Sequence, residues 1–306
     1  MSFALKRVLF FGNPYHKITR SSMFFLRELQ QRYEVTEYYL DLWDLIPEEL
    51  DELAAQRYDF LICWQVMPSR ELLDCFQYGK VVMIPMLDHV MAMPGDMENL
   101  AKYADLQIFC FSKNMYLYLR QRGYMVKYVQ YYPEFRPITD HGDERSLFFW
   151  MRRTELPPDD ILRRCSSYLL TRVHIHKALD PGQEFRPVSL EHDYEITYSE
   201  WFPKKEDMDR VLLQSALYAA PRLVEGIGMS FLGAMAQGRC VIAPNLPTMN
   251  EYIIHGKTGI LYDYDSFAPL EEFNVREIQN NTAKFMEDGY RQWMSEKEDI
   301  FRWIEA

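Results

Sequence analysis

Residues 225–228, Glu-Gly-Ile-Gly, hold the combination in this sequence best suited to chemistry on an anion. A carboxylate precedes two glycines, and glycine tolerates positive φ and lets the backbone approach a ligand with no Cβ in the way. The apolar positions that follow, Met229, Phe231, Leu232 and Met235, lie mainly at helical spacing, and Gly238 ends the run as a left-handed cap. The first amides of such a helix have no partner within it, and together with the helix dipole they favour a negative group. Gly226, Ile227, Gly228, Met229 and Ser230 are therefore the expected cradle of a phosphate. Glu225 can accept hydrogen bonds from hydroxyls on whatever the phosphate carries and favour positive charge there. A glutamate ahead of a helix also complements the dipole, which is the purely structural reason for it.

Such a turn must be held between strands. Over 217–262 the sequence reads strand, turn, helix, strand, turn, helix, strand, with apolar runs at 217–220 and 240–243. Upstream, 7–11, 34–40, 58–64, 80–86, 106–111 and 126–130 read as strands. Helices are expected at 21–32, from Pro47, at 69–78, 97–103 and 113–122. The runs at 58–64, 80–86 and 106–111 are continuously apolar, as parallel strands covered on both faces require. Residues 131–144, rich in proline, charge and turn formers, break the alternation and read as a linker. The programme then restarts, with strands at 146–150, 172–176 and 194–198 and helices at 159–169 and 204–213. From 273 onward Ile278, Phe285, Trp293, Ile300, Phe301 and Ile304 interleave with polar residues as one or two amphipathic helices. The expected architecture is α/β, with two doubly wound, Rossmann-like parallel sheets over 1–135 and 145–290 and a C-terminal helix over 291–306. Ligands of open parallel sheets bind outside the carboxyl ends of the strands, so a cleft between the halves is the expected seat of chemistry.

Composition narrows the partners. A formal net charge of −11, from 45 acidic against 34 basic residues without a basic cluster, argues against a nucleic-acid surface. The cysteines, Cys63, Cys75, Cys110, Cys165 and Cys240, are odd in number and scattered without metal-ligand spacing, which suits reduced thiols in a cytoplasmic protein. No window approaches the roughly 18 apolar residues of a membrane span, and the basic residues of MSFALKRVLFFGNP fall inside the first strand pattern rather than ahead of a leader. His174 and His176 alternate along a strand with no third ligand, and Asp263-Tyr264-Asp265 reads as a polar loop after a strand. No metal and no cofactor are expected.

The longer string E-G-x-G-x-x-x-L-x-A-M-A-x-G, with V-I-A, N-E-Y-I and H-G-x-T-G-I-L after it, resembles the donor-sugar half of the retaining GT-B glycosyltransferases of group 1. The resemblance implies two facing domains and transfer of a sugar from a nucleotide-sugar donor to an acceptor hydroxyl, in bacterial-type glycan or polysaccharide synthesis. It assigns Glu225 to the sugar and places an arginine where Arg152 and Arg153 stand, a guanidinium fork being suited to phosphate oxygens. The family's nearby lysine is absent, since Pro157 and Pro158 occupy that position, and Lys204 and Lys205 are the candidate substitutes. Asp88 and His89 fall where relatives place a functional histidine near the donor sugar, and Gly12, Asn13 and Tyr15 fall at the acceptor side of the cleft. A mixed patch of Tyr15, His16, Lys17, Arg20, Met23, Phe24 and Phe25 is the candidate for peripheral contact at the inner face of a membrane, because many relatives act on lipid-linked acceptors. The family's second glutamate, which grips the donor ribose, is replaced by Gly233. A carboxylate there would be left partly unpaired by a deoxyribose, so its absence favours a dTDP-sugar. Readings from other classes are a binding protein built on the same scaffold and a GT-B nucleotide-sugar epimerase.

Overall fold

The computed structural model describes residues 5–39, 47–92, 96–165 and 169–306, and the chain divides into two compact units, Met1–Val129 with Asp299–Ala306, and Gln130–Glu298. Leu40, at the end of the second expected strand, and 166–168, within the helix expected at 159–169, lie outside the described residues.

The first unit runs β1 (Arg7–Gly12), α1 (Tyr15–Thr19), α2 (Met23–Gln30), β2 (Glu34–Tyr39), α3 (Pro47–Ala54), β3 (Arg57–Trp64), α4 (Arg70–Leu73), β4 (Gln77–Ile84), α5 (Leu87–Met91), a 3₁₀ helix (Asp96–Tyr103), β5 (Gln107–Cys110), α6 (Lys113–Gln121) and β6 (Val126–Tyr128). All its strands are parallel, in the order β2-β1-β3-β4-β5-β6. Val8 to Phe11 and Leu61 to Cys63 are wholly buried, as central strands covered on both faces must be. The helix expected at 69–78 is a single turn, because β4 starts ahead of its apolar run: Gln77 and Tyr78 already pair with Arg57 and Tyr58. Ser69 caps that turn, accepting from the Leu72 amide at 3.1 Å.

The second unit runs β7 (Asp143–Met151), α7 (Pro158–Leu162), β8 (Arg172–Lys177), β9 (Glu195–Ser199), α8 (Lys205–Leu212), β10 (Ser215–Ala219), α9 (Met229–Ala236), β11 (Cys240–Pro244), α10 (Met249–Tyr252), β12 (Ile260–Tyr262) and the 31-residue α11 (Val275–Glu305). Its sheet is also parallel, in the order β12-β11-β10-β7-β8-β9. The helix expected at 159–169 stops at Leu162, and Arg164 beyond it is buried, donating to the carbonyls of Asp160, Asp263, Tyr264 and Ser266 at 2.6–3.3 Å. That anchor fixes the loop carrying Asp263-Tyr264-Asp265. Tyr131 and Tyr132, read as part of a linker, are instead buried in this unit: their rings meet Trp293, and Tyr252 and Phe285. Gly289 makes room on α11, since a Cβ there would lie 2.3 Å from the Tyr132 ring. Residues of α11 from Asp299 onward belong to the first unit. Among the described residues no helix is long and apolar enough to cross a membrane.

Candidate functional site

In the second sheet the chain order reverses between β7 and β10, and at such a switch point the loops leaving the two strands diverge and open a crevice at their carboxyl ends. The loop after β7 begins with Arg152 and Arg153, and the loop after β10 carries Arg222 and Glu225. The topology thus brings together residues that lie far apart in the sequence.

Glu225 is 6% exposed, which makes it a buried carboxylate rather than an open turn residue. Its Oε2 lies 3.7 Å from Arg222 Nη1, and its carbonyl accepts from the Thr248 hydroxyl. Burial works against the charge of Arg152, but the carboxylates of Glu225 and Asp180 outweigh it and hold its pKa above the usual value. Arg152 donates through Nε and Nη2 to Asp180 Oδ1 at 3.1 and 2.6 Å, while Arg153 lies 3.3 Å from Glu155 and 3.9 Å from Asp180. Three arginines therefore face three carboxylates, and the crevice is close to neutral before any ligand enters. Tyr218, buried on β10, feels both Glu225 and Arg152, and burial pushes its pKa up.

The glycine turn has the expected form. Gly228 is the N-cap of α9 with φ at 87°, a left-handed backbone, and a Cβ there would lie 1.9 Å from the Phe231 ring. No side chain caps the helix, so its first amides are not taken by one. Gly226 and Ile227 are buried, Met229 and Ser230 half-buried. At Gly233 a Cβ would meet nothing within 4 Å, so this position is open rather than crowded. Lys204 and Lys205, the candidate substitutes for the missing lysine, are both exposed, and Lys205 pairs with Asp209 at 2.6 Å. His174 and His176 share Ser199, each at 2.8 Å from its hydroxyl, so hydrogen bonds to β9 account for the alternating pair.

The first sheet has its own switch point, between β1 and β3. Gly12 ends β1, Asn13 accepts the Tyr15 amide on its side chain at 2.9 Å, and His16 is buried at 6% exposure. Asp88 and His89 lie on the short α5, just past β4, and both act electrostatically on His16. Burial lowers the pKa of His16 and of His89. The two phenylalanines of the patch suggested for membrane contact belong to the core rather than the surface: Phe25 is fully buried, and Phe24 packs on Trp64 and Phe111 at 5.6 and 5.7 Å. The apolar side of α2 faces the core, whereas Lys17, Ile18 and Arg20, on and just past α1, are exposed.

Asp180, Arg222, Tyr218 and Gln65 were not singled out from the sequence, and His16 was named only in the patch suggested for membrane contact. The available signal was position: each lies at, or a few residues past, the carboxyl end of a parallel strand, or on the strand itself in the case of Tyr218.

Residues 180–272 match the model of the family glycosyl transferases group 1. No curated protein sequence matches the chain. Among solved structures, sucrose-phosphate synthase from Thermosynechococcus elongatus is similar at a TM-score of 0.69 and 12% identity, over 98% of this chain and 99% of that one. HepE from Anabaena, in complex with UDP and glucose, is similar at 0.55 and 13%, over 94% of each chain. TarM is similar at 0.54 and 12% over 80% of this chain, which spans only about half, 54%, of the TarM chain. The fold is GT-B. The chain thus has a GT-B fold, and the match to the group 1 glycosyl transferase model falls within its second unit.

Proposed function

We propose that this protein is a retaining glycosyltransferase that moves a sugar from a nucleoside diphosphate donor to an acceptor hydroxyl, in the assembly of a glycan or polysaccharide. The observation that carries the reading is Glu225, a buried carboxylate set against Arg222 and Arg152 beside the left-handed Gly228 at the start of α9. As the bond to the diphosphate breaks, negative charge grows on the leaving group and positive charge on the sugar. Fixed dipoles and charges aimed at those two places lower the barrier most. The α9 amides and the arginine forks supply the first, and the Glu225 carboxylate supplies the second. The acceptor, a glycan or a lipid-linked sugar, is taken by the first unit at Gly12, Asn13, Tyr15, Asp88 and His89.

The charge needed at the diphosphate comes from arginine and backbone in this proposal, so transfer is metal-independent and survives EDTA. The engagement of Arg152 by Asp180 is the observation on the side of a non-catalytic binding protein, because a diphosphate must compete for that fork. Incubation with a panel of nucleotide sugars separates the readings: donor hydrolysis or transfer marks a transferase, interconversion of the sugar an epimerase, and binding without turnover the binding protein.

For the nucleotide, open space at Gly233 in place of a ribose-gripping carboxylate favours dTDP over UDP and GDP. HepE was solved with UDP, so the comparison is a live one. Because a side chain fits at this position, Gly233→Glu should fold and should shift preference toward the ribonucleotides. Calorimetric titration of dTDP, UDP and GDP into both proteins measures it. A wild type that binds UDP or GDP about tenfold more tightly than dTDP, a difference of roughly 1.4 kcal/mol, would sink the deoxyribose argument.

A further inference from the structure

Gln65 stands just past β3, at the switch point of the first sheet, with φ at 63°. Left-handed backbone is costly for a side chain larger than asparagine, and it persists only where the surroundings determine it. Its amide N–H donates to the Ile84 carbonyl at 2.9 Å, which pins the main chain to the end of β4. The side chain is fixed as well. The Asn13 backbone N–H donates to His16 Nδ1 at 3.3 Å, and a backbone amide can only donate, so Nδ1 is the acceptor nitrogen of the ring. His16 Nε2 must then carry the proton, and it lies 2.6 Å from Gln65 Oε1. The carboxamide oxygen is therefore committed, and the amide nitrogen is directed away from His16. Among the described residues nothing accepts from that nitrogen, and Gln65 is half-buried rather than core. Asp88 and His89 lie close enough to His16 to act on its charge, so the residues expected on the acceptor side gather around the ring that holds Gln65.

A hydroxyl group both donates and accepts, and neighbouring hydroxyls on a sugar are satisfied by a donor and an acceptor side by side. We propose that Gln65 is a substrate-positioning residue, its Nε2–H₂ donating to a hydroxyl oxygen of a carbohydrate acceptor, with His16 holding the carboxamide in that orientation. This rests on the reading in which the first unit takes the acceptor, and its test does not pass through the donor site.

The test follows the side-chain amide resonances of ¹⁵N-labelled protein during titration with methyl glucoside, methyl galactoside, methyl mannoside and methyl N-acetylglucosaminide. The Gln65 amide pair is expected to shift with at least one of them. Gln65→Glu keeps an oxygen for His16 but has no N–H₂, and it should bind that glycoside about tenfold more weakly, the weight of one good hydrogen bond. Gln65→Gly removes the side chain and suits the left-handed backbone, so it should lose the same affinity while melting no lower than wild type; a purely structural glutamine would not separate these two readouts. His16→Ala should weaken glycoside binding in the same direction, and UDP or dTDP binding should stay within twofold in every variant. The inference is overturned if no glycoside moves the Gln65 amide, or if Gln65→Glu binds as wild type does. Loss of nucleotide binding by wild type, with the Gln65 shift intact, would remove the transferase reading and leave Gln65 standing as a sugar contact.

Discussion

At the scale of single residues, the burial of Glu225 changes how its role should be probed. An alanine there would leave the half-buried Arg222 and Arg152 short of a counter-charge, and breaking a buried pair from one side typically costs about 3–5 kcal/mol. Glu225→Gln keeps the shape and much of the hydrogen bonding while removing the charge. It should lower transfer by about 100-fold with a thermal midpoint close to wild type. Activity within a few-fold of wild type would take Glu225 out of the site. The glycine turn and Glu225 were legible in the sequence because glycine and carboxylate side by side are a local signal. Asp180 was not: its pairing with Arg152 and Arg153 depends on a loop from β8 returning to the end of β7, a contact between residues 28 apart in the chain.

At the scale of elements, the β8–β9 edge carries a pH response. His176 is fully buried and packed among Trp150, Trp201 and Phe202, and burial pushes its pKa down to about 4. In the unfolded chain the same group titrates near 6.5. As pH falls below that value the unfolded state takes up the proton first, so stability declines between about 6.5 and about 4 and is level above that window. The share of His176 is on the order of 1–3 kcal/mol. His16, His89 and His174 are lowered too and add in the same direction. His176→Gln should therefore make the loss of stability shallower without abolishing it. Urea unfolding at pH 7.5 and pH 4.5, followed by the fluorescence of Trp150 and Trp201, measures this; identical pH slopes in the two proteins would count against a buried neutral histidine. The alternation that marks His174 and His176 as a pair is visible in the sequence, but their common partner Ser199 is set by the parallel register that places His176 opposite it.

At the scale of the whole molecule, the last turns of α11 are part of the first unit although most of the helix belongs to the second. Phe301 stacks on Phe25 with centroids 6.0 Å apart and lies under Arg32, while Glu305 accepts from Tyr33 at 2.8 Å and pairs with Lys6 at 3.0 Å. Ile300 and Ile304 are wholly buried. A chain ending at Glu298 loses all of these at once, and removal of a buried phenylalanine alone costs about 3–5 kcal/mol. Truncation there should lower the melting of the first unit by 10 °C or more, on the order of 2–4 °C for each kcal/mol lost in a unit of this size. The glycine turn at 225–228 in the second unit should be spared. Calorimetry with and without UDP and dTDP reads both; a single unchanged transition would contradict the assignment of 299–306 to the first unit.

The sequence by itself determined the alternation of strand and helix, the parallel character of both sheets, and the turn at 225–228, because hydrophobic runs, prolines and glycines act over a few residues. It did not determine where α4 and α7 stop. Those boundaries were decided by long-range partners, the β3–β4 register in one case and the carbonyls collected by Arg164 in the other. The identity of the site residues beyond Glu225 likewise came from topology. A parallel sheet gathers the ends of strands that are distant in the chain, so Arg152 meets Asp180 and feels Glu225, and His16 meets Gln65, only once the strand order is set. Burial was the other tertiary decision: Glu225 and His16 are polar residues on connecting segments, and only the packing around them makes one a paired buried charge and the other a neutral ring with a fixed proton.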